Sequence, residues 1–368
     1  MRYFFSTGEA SGEMSATLLA RALAQIDPDA AFEGIGGDRM LDAGFTVQTH
    51  TRGWGSMGPI EALAKIPKLY TVMWRTALRL RMKPPALVVL VDFGAFNVRL
   101  AKSMRMLGYR RPILYFFPPG AWLDKPAQAS LVARLSTPLV AFEHQRNFYR
   151  SLGLDVHYFG HPLASAYQLR PARPAPRKNG GTVAILPGSR AGELRFHLPV
   201  VLDALALLKQ TRPQLEAVIG AADATAHMLI GRALAQRNVQ GVQIVRSAAG
   251  ALADADAAWI ASGTAVLEAA LTGIPAVAFY ILSQAQARIA RRVYRGDYIT
   301  LPNLVLHARV VPELLQEAAT AQALAAHMEM LLRDPSAQYA RLQDVRGALG
   351  SPEALAQSAA LAMGLASQ

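Results

Sequence analysis

Apolar runs of strand length alternate with helix-period segments along nearly the whole chain. In the first half the order is strand Tyr3–Ser6, helix near Met14–Gln25, strand near Phe32–Ile35, helix Ile60–Met82, strand Leu87–Val91, helix Val98–Leu107 and strand Ile113–Phe117. Such alternation predicts parallel strands joined by crossover helices, because each helix covers the face of the sheet its strands build. From Gln168 to Gly181 the text becomes Gln-Leu-Arg-Pro-Ala-Arg-Pro-Ala-Pro-Arg-Lys-Asn-Gly-Gly. Its prolines and closing glycine pair mark a linker. A second series follows: strand Thr182–Leu186, helix Glu193–Lys209, strand Glu216–Ile219, helix near Thr225–Gln236, strands Val242–Val245 and Ala257–Ala261, helix Thr264–Leu271 and strand Ala276–Tyr280. The tail from Val311 reads as helical and rich in Ala and Leu. The expected class is α/β, with domains 1–167 and 182–340 either side of linker 168–181, and 341–368 a helix packing back on the first domain. Two such Rossmann-like domains would face a central cleft at the carboxyl ends of their strands, where open α/β sheets bind ligands.

Within the second series, Ala257-Ala-Trp-Ile-Ala-Ser-Gly-Thr-Ala-Val-Leu-Glu268 runs from a strand through a tight turn onto a helix start. The N–H groups at Ser262, Gly263 and Thr264 then lack intrahelical partners, and with the helix dipole they favour a phosphate or diphosphate. Glu268, one turn on, is placed to accept hydrogen bonds from ribose hydroxyls. Two further glycine-containing loops, Thr7-Gly-Glu-Ala-Ser-Gly12 and Leu186-Pro-Gly-Ser-Arg190, should open on the same cleft. Arg190 suits a departing diphosphate because its fork matches phosphate oxygens. None of the three fits a P-loop or a dinucleotide fingerprint.

The net charge of +12 calls for an anionic partner, and its distribution selects among them. Eleven Lys and Arg lie between Ile60 and Arg111 against two acids, Glu61 and Asp92. Across 60–82, Lys65, Lys68, Arg75, Arg79 and Arg81 interleave with Ile60, Leu63, Ile66, Leu69, Tyr70, Met73, Trp74, Leu78 and Leu80, the composition of a helix that lies on a membrane surface. A core helix with a solvated basic face is the alternative, with Pro67 interrupting its pattern. No nucleic-acid-binding module accompanies the charge, so nucleic acid is not the expected partner. No apolar run reaches the roughly 18–20 residues that span a bilayer. The absence of cysteine and of a leader-like N-terminus points to a cytoplasmic protein.

Taken in order, these loops resemble the lipid-A-disaccharide synthase family, inverting glycosyltransferases of the two-domain GT-B type. The matching pieces are Gly8-Glu-Ala-Ser-Gly12, Gly34-Ile-Gly-Gly37 with Arg39-Met40, Met57-Gly58, Phe96-Asn97, Gly160-His-Pro-Leu163, Leu186-Pro-Gly-Ser-Arg190 with Glu193, Ala261-Ser-Gly-Thr-Ala265 with Leu267-Glu268, Ala290-Arg-Arg292, and Leu301-Pro-Asn-Leu304 with Val311-Pro-Glu-Leu-Leu315. The resemblance implies transfer of diacylglucosamine from a UDP-sugar to an acylated glucosamine 1-phosphate, with UDP released at the inner membrane. It makes the UDP-sugar and an acylated lipid acceptor the partners, 60–82 the contact to the inner membrane surface, and a homodimer the candidate assembly. No cofactor and no metal is expected beyond the UDP-sugar donor. The implied substrate-binding residues are Gly8, Glu9, Ser11, Gly12, Asn97, His161, Gly188, Ser189, Arg190, Ser262, Gly263, Thr264, Glu268 and Asn303.

One departure is chemical. The family reads Asp-x-Pro-Asp-Phe-Asn after its strand, and its second Asp is held to be the catalytic base; here the text is Asp92-Phe-Gly-Ala-Phe-Asn97, with Ala95 at that position. Losing a general base costs about 10²–10⁴ in rate unless another group serves. Asp92, at a strand end, and Asp124, in the rewritten Pro118–Lys125 loop, are the candidate replacements. Glu143 and His144 are weaker ones, Glu9 reads as an anchor of the first loop, and His161 reads as a group that orders the domain boundary or meets the nucleotide. Asp254-Ala-Asp256 precedes its strand and is not read as a metal motif, and Trp259 is read as core. Competing readings are a UDP-sugar epimerase of the same architecture, a transferase with another acceptor, and a catalytically impaired membrane-associated homologue.

Overall fold

The structure, a computed structural model, describes residues 1–52, 54, 59–118, 125–167, 180–294 and 296–368, with the backbone alone at 59–65 and 293. They form two compact units, Met1–Ala166 with Leu349–Gln368, and Tyr167–Ala348. Of the linker 168–181, residues 168–179 lie outside the described residues, while Gly180 and Gly181 already belong to a strand.

The first unit contains β1 (Arg2–Ser6), α1 (Ala10–Ile26), β2 (Ala31–Gly36), α2 (Asp38–Asp42), β3 (Thr46–His50), α3 (Pro59–Met82), β4 (Leu87–Val91), α4 (Gly94–Met106), β5 (Ile113–Phe116), α5 (Pro126–Leu135), β6 (Thr137–Val140), α6 (Glu143–Ser151), β7 (His157–Tyr158) and α7 (Pro162–Ala166). Its sheet is parallel in the order β3-β2-β1-β4-β5-β6-β7. β4 reads Leu-Val-Val-Leu-Val because it lies centrally and both its faces are covered. Phe5, Val89 and Leu114 join Leu19 and Leu23 of α1 in one core layer; Phe4, Val88 and Leu90 join Met73, Ala77 and Leu80 of α3 in the other. β3, β6 and β7 escape the sequence pattern because they are short and lie toward the two edges of the sheet. The final helix of the chain packs against α1 in this same unit.

The second unit contains β8 (Gly180–Leu186), α8 (Ala191–Thr211), β9 (Gln214–Gly220), α9 (Ala224–Gln236), β10 (Val242–Val245), α10 (Ala248–Leu252), β11 (Ala257–Ala261), α11 (Thr264–Thr272), β12 (Ala276–Tyr280), α12 (Gln284–Val293), α13 (Leu301–Leu306), β13 (Glu313–Leu315), α14 (Ala321–Arg333) and α15 (Ser336–Ala348); α16 (Ala354–Ala366) is the helix returned to the first unit. Its parallel sheet runs β10-β9-β8-β11-β12-β13. Trp259 is fully buried on β11, with its indole N–H donated to Leu324 O at 3.1 Å, so its ring fills the core without an orphaned donor. The tail from Val311 is not wholly helical: Glu313–Leu315 adds an edge strand beside β12, too short for any periodicity to register.

Candidate functional site

At the carboxyl end of β11, Ser262 and Gly263 turn the chain onto α11. Ser262 donates its N–H to Phe279 O on β12 at 3.2 Å, which fixes the turn against the neighbouring strand. Gly263 has φ 147°, where an L side chain is strained, and is exposed with open space around it. It is the N-cap of α11, and no side chain caps that helix. The start of α11 thus carries the positive end of the helix dipole without a side-chain cap, Val266 N–H turning back to Gly263 O at 3.2 Å. Glu268 lies one turn on, buried, and its Oε2 accepts the Tyr167 hydroxyl at 2.6 Å.

The Leu186–Arg190 loop closes on a side chain of the helix that follows it. Ser189 and Arg190 both donate backbone N–H to Glu193 Oε2, at 3.0 and 3.1 Å. Glu193 Oε1 accepts the Arg190 guanidinium at 3.1 Å and the Tyr280 hydroxyl at 2.8 Å. A Cβ on Gly188, at φ 115°, would lie 2.6 Å from Glu193 Oε2. The loop is therefore wrapped around its own carboxylate, with the Ser189 N–H engaged by it. Arg190 itself is half-exposed. His197, one turn beyond Glu193, has no solvent exposure. Its Nδ1 is 2.7 Å from Pro187 O, and its Nε2 accepts the Ile281 N–H at 3.0 Å, so the proton sits on Nδ1. Burial holds its pKa below the ordinary histidine range, partly offset by the Pro187 carbonyl and Glu193.

Asn303 is held from within its own unit. It is fully buried, its Nδ2 donates to Val311 O and Glu313 Oε1 at 2.8 and 2.9 Å, and its Oδ1 accepts Val310 and Val311 N–H, both at 2.8 Å. Its hydrogen-bonding capacity is filled from within the unit, which makes it a clamp between α13 and the segment leading to β13. Glu313 completes the clamp by accepting Thr300 N–H and hydroxyl, each at 2.7 Å. Asp256 accepts the Thr182 N–H at 2.8 Å and so anchors the start of β8. Among the described residues no group of three His, Cys, Asp or Glu side chains is placed to hold a metal.

In the first unit the loops after β1 and β4 meet where the strand order reverses, the ligand-binding point of open α/β sheets. The Phe93 ring lies over Gly8, where a Cβ would stand 2.2 Å from it, and groups with Trp54 and Phe96. Glu9 and Ser11 are half-buried at the start of α1, and Gly12 packs on Thr7 and Val91. Asn97 is the counterpart of Asn303. With no exposure, it accepts the Ser6 hydroxyl at 2.7 Å and directs its Nδ2 at Ser6 O, Val91 O and Asp92 O, so it binds two strand ends together.

Asp92 and Phe93 both take left-handed backbone, φ 45° and 44°. Such residues cost roughly 1–2 kcal/mol each. Bonds from Tyr115 hydroxyl and Asn97 to Asp92 O, and from Asp92 N–H to Phe116 O, hold them there. Asp92 is half-buried at this edge; Ala95 is exposed in the first turn of α4. Asp124 lies outside the described residues. Glu143 pairs with Arg146, and His144 is exposed against Phe142. His161 accepts the Leu163 N–H at 3.2 Å beside Phe117 and Phe142, and burial pushes its pKa down to about 3. Glu13, unremarked in the sequence, is a buried carboxyl against Thr51 and the start of α2, its pKa raised by burial. Glu193 carried one local signal, a carboxylate three residues after a helix start; His197, Tyr280 and Tyr167 carried none.

The family model described as lipid-A-disaccharide synthetase matches residues 3–361. Lipid-A-disaccharide synthases of Syntrophus aciditrophicus and Synechocystis sp. are 32% and 34% identical to the chain, covering 97% and 96% of it and 96% and 94% of their own lengths. Among solved structures, UDP-GlcNAc 2-epimerase from Neisseria meningitidis bound to UDP-GlcNAc aligns with TM-score 0.63 at 14% identity, covering 100% of both chains. Acinetobacter baumannii MurG aligns with TM-score 0.55 at 15% identity, covering 99% of each. The fold is that of GT-B glycosyltransferases and epimerases, and the sequence family is what separates the two.

Proposed function

From the premise that this chain belongs to the lipid-A-disaccharide synthetase family, we propose how its own residues perform the transfer. The protein is a glycosyltransferase of lipid A biosynthesis. Its second unit binds the UDP-sugar: the diphosphate rests on the open N-terminus of α11 at Ser262–Thr264, Arg190 supplies the opposing charge, and Glu268 accepts the ribose hydroxyls. The observation that carries this is the glycine-capped, partly exposed start of α11, with a buried carboxylate one turn behind it. The Tyr167 hydroxyl already bonded to Glu268 is the kind of group a ribose hydroxyl would replace.

The acceptor, an acylated glucosamine 1-phosphate, is held by the first unit. Its hydroxyl attacks the anomeric carbon in line with the departing UDP, inverting that centre, while the helix dipole and Arg190 stabilise the leaving diphosphate. Asp92 takes the proton in place of the carboxylate absent at Ala95, since it stands at the switch point between β1 and β4. The protein is peripheral on the inner membrane through α3. Ile66, Tyr70, Trp74, Leu78 and Met82 recur every fourth residue as an exposed ridge, interleaved with exposed Lys68, Arg75, Arg79 and Arg81. No described helix is long and apolar enough to cross a membrane.

The donor site is tested by titrating UDP into Arg190→Ala and Glu268→Ala in a calorimeter. Each should lose about 1.5–3 kcal/mol, the worth of a hydrogen bond to a charged group. Native affinity in both folded variants rejects the site.

A further inference from the structure

We infer that His197 is a positioning residue for the donor diphosphate, acting through the Pro187–Arg190 loop; the inference rests on the donor site proposed above. Glu193 and His197 lie one turn apart on α8, and both reach the end of β12. Glu193 joins the Ser189 and Arg190 N–H groups to the Tyr280 hydroxyl, and His197 joins Pro187 O to the Ile281 N–H. In the sheet β11 lies between β8 and β12. The two side chains therefore tie together the loops flanking the strand whose end delivers Ser262–Thr264. The placement of Arg190 relative to the start of α11 depends on this double tie.

The bridge from Pro187 O to Ile281 N–H needs a donor on one side and an acceptor on the other. A neutral imidazole offers both from one rigid plane, whereas Lys and Arg only donate and a carboxylate only accepts. The ring is also wedged edge-on against Phe279 and Tyr280, which fixes its plane. Protonation would set Nε2–H against the Ile281 N–H. The titratable groups facing the ring are Glu193 on α8 and Tyr280 on β12; burial outweighs the pull of Glu193 and keeps the ring neutral.

The test compares His197→Phe, which keeps a ring in the same space and removes both hydrogen bonds, with His197→Gln, whose amide restores a donor and an acceptor. Readouts are UDP affinity by calorimetry, KM and kcat for UDP-diacylglucosamine, and melting temperature. His197→Phe should weaken UDP binding and raise the donor KM by about tenfold or more with a smaller change in kcat, and His197→Gln should recover most of that loss. If His197→Phe does not fold, His197→Asn, which reaches one partner but not both, takes its place. Native UDP affinity and KM in the Phe (or Asn) variant overturn the inference even if melting falls, and so does a Gln variant as weak as Phe. Arg190→Ala, run alongside, separates the two failures: unchanged UDP affinity there sinks the donor site itself, while a loss there with native behaviour at His197 sinks only the positioning role.

Discussion

Replacing Asp92 by Asn removes a proton acceptor with little other disturbance, because Asn tolerates the left-handed backbone that residue 92 adopts. If Asp92 is the base, kcat should fall by about 10²–10⁴, equivalent to roughly 2.7–5.5 kcal/mol of barrier. The second half of the experiment restores a carboxylate one turn away. Ala95 is exposed in the first turn of α4, a helix with no acidic residue in that turn and no side-chain cap. Aspartate there gains about 0.3–1 kcal/mol from the helix dipole. Arg99, four residues on, adds about 0.2–0.5 kcal/mol. Ala95→Asp should therefore raise the melting temperature slightly, and the helix dipole should hold the new carboxyl below the usual carboxylate range, leaving it ionised at neutral pH. UDP release from UDP-diacylglucosamine with diacylglucosamine 1-phosphate is the assay. In the native background Ala95→Asp should change kcat less than about tenfold; in the Asp92→Asn background it should recover at least about tenfold. Full activity in Asp92→Asn, with unaltered melting, refutes Asp92 as the base. A dead double variant that binds UDP normally refutes the idea that position 95 reaches the acceptor.

Asn303→Ala strands the Val310 and Val311 N–H groups, each costing about 1–3 kcal/mol; melting should collapse while UDP affinity of the folded fraction, measured at low temperature, stays native, and lost affinity there would restore a ligand role to Asn303. Membrane association through α3 should show as sedimentation with anionic but not neutral liposomes, weakened by salt, since each Lys or Arg near an anionic surface contributes roughly 1 kcal/mol. Equal recovery with both liposomes would assign the ridge another purpose. His161 is neutral in the fold with a pKa of about 3 against an ordinary 6.5, so the unfolded chain binds its proton first as pH falls. Its contribution is complete above about pH 6.5 and declines steadily toward pH 3; urea melts from pH 8 to 4.5 should fall more steeply for the native chain than for His161→Gln, and parallel curves contradict the assignment.

The α/β class could be read from the sequence because strand length and helical period are local properties. Leu87–Val91 and Ala257–Ala261 announce buried strands by composition alone, and the Ser262–Thr264 turn announces a helix start. The edge strands β3, β7 and β13 and their short neighbour β6 could not, because two to five residues at or beside the rim of a sheet are too few to register a pattern.

What the sequence by itself determined is which residues stand at the carboxyl ends of strands; what only the tertiary structure decided is which of their hydrogen bonds are already taken. Asn97 and Asn303 sit in telling motifs, yet each is sealed by partners, one of them 91 residues away. The Ser189 N–H points at Glu193, and the groups that steady this loop, Tyr280 and Ile281, come from 87 and 84 residues along the chain from the side chains they meet. A motif lists donors and acceptors, but their satisfaction depends on long-range packing. Buried polar groups must find partners somewhere. Whether the partner is a substrate or another strand is settled by the folded chain.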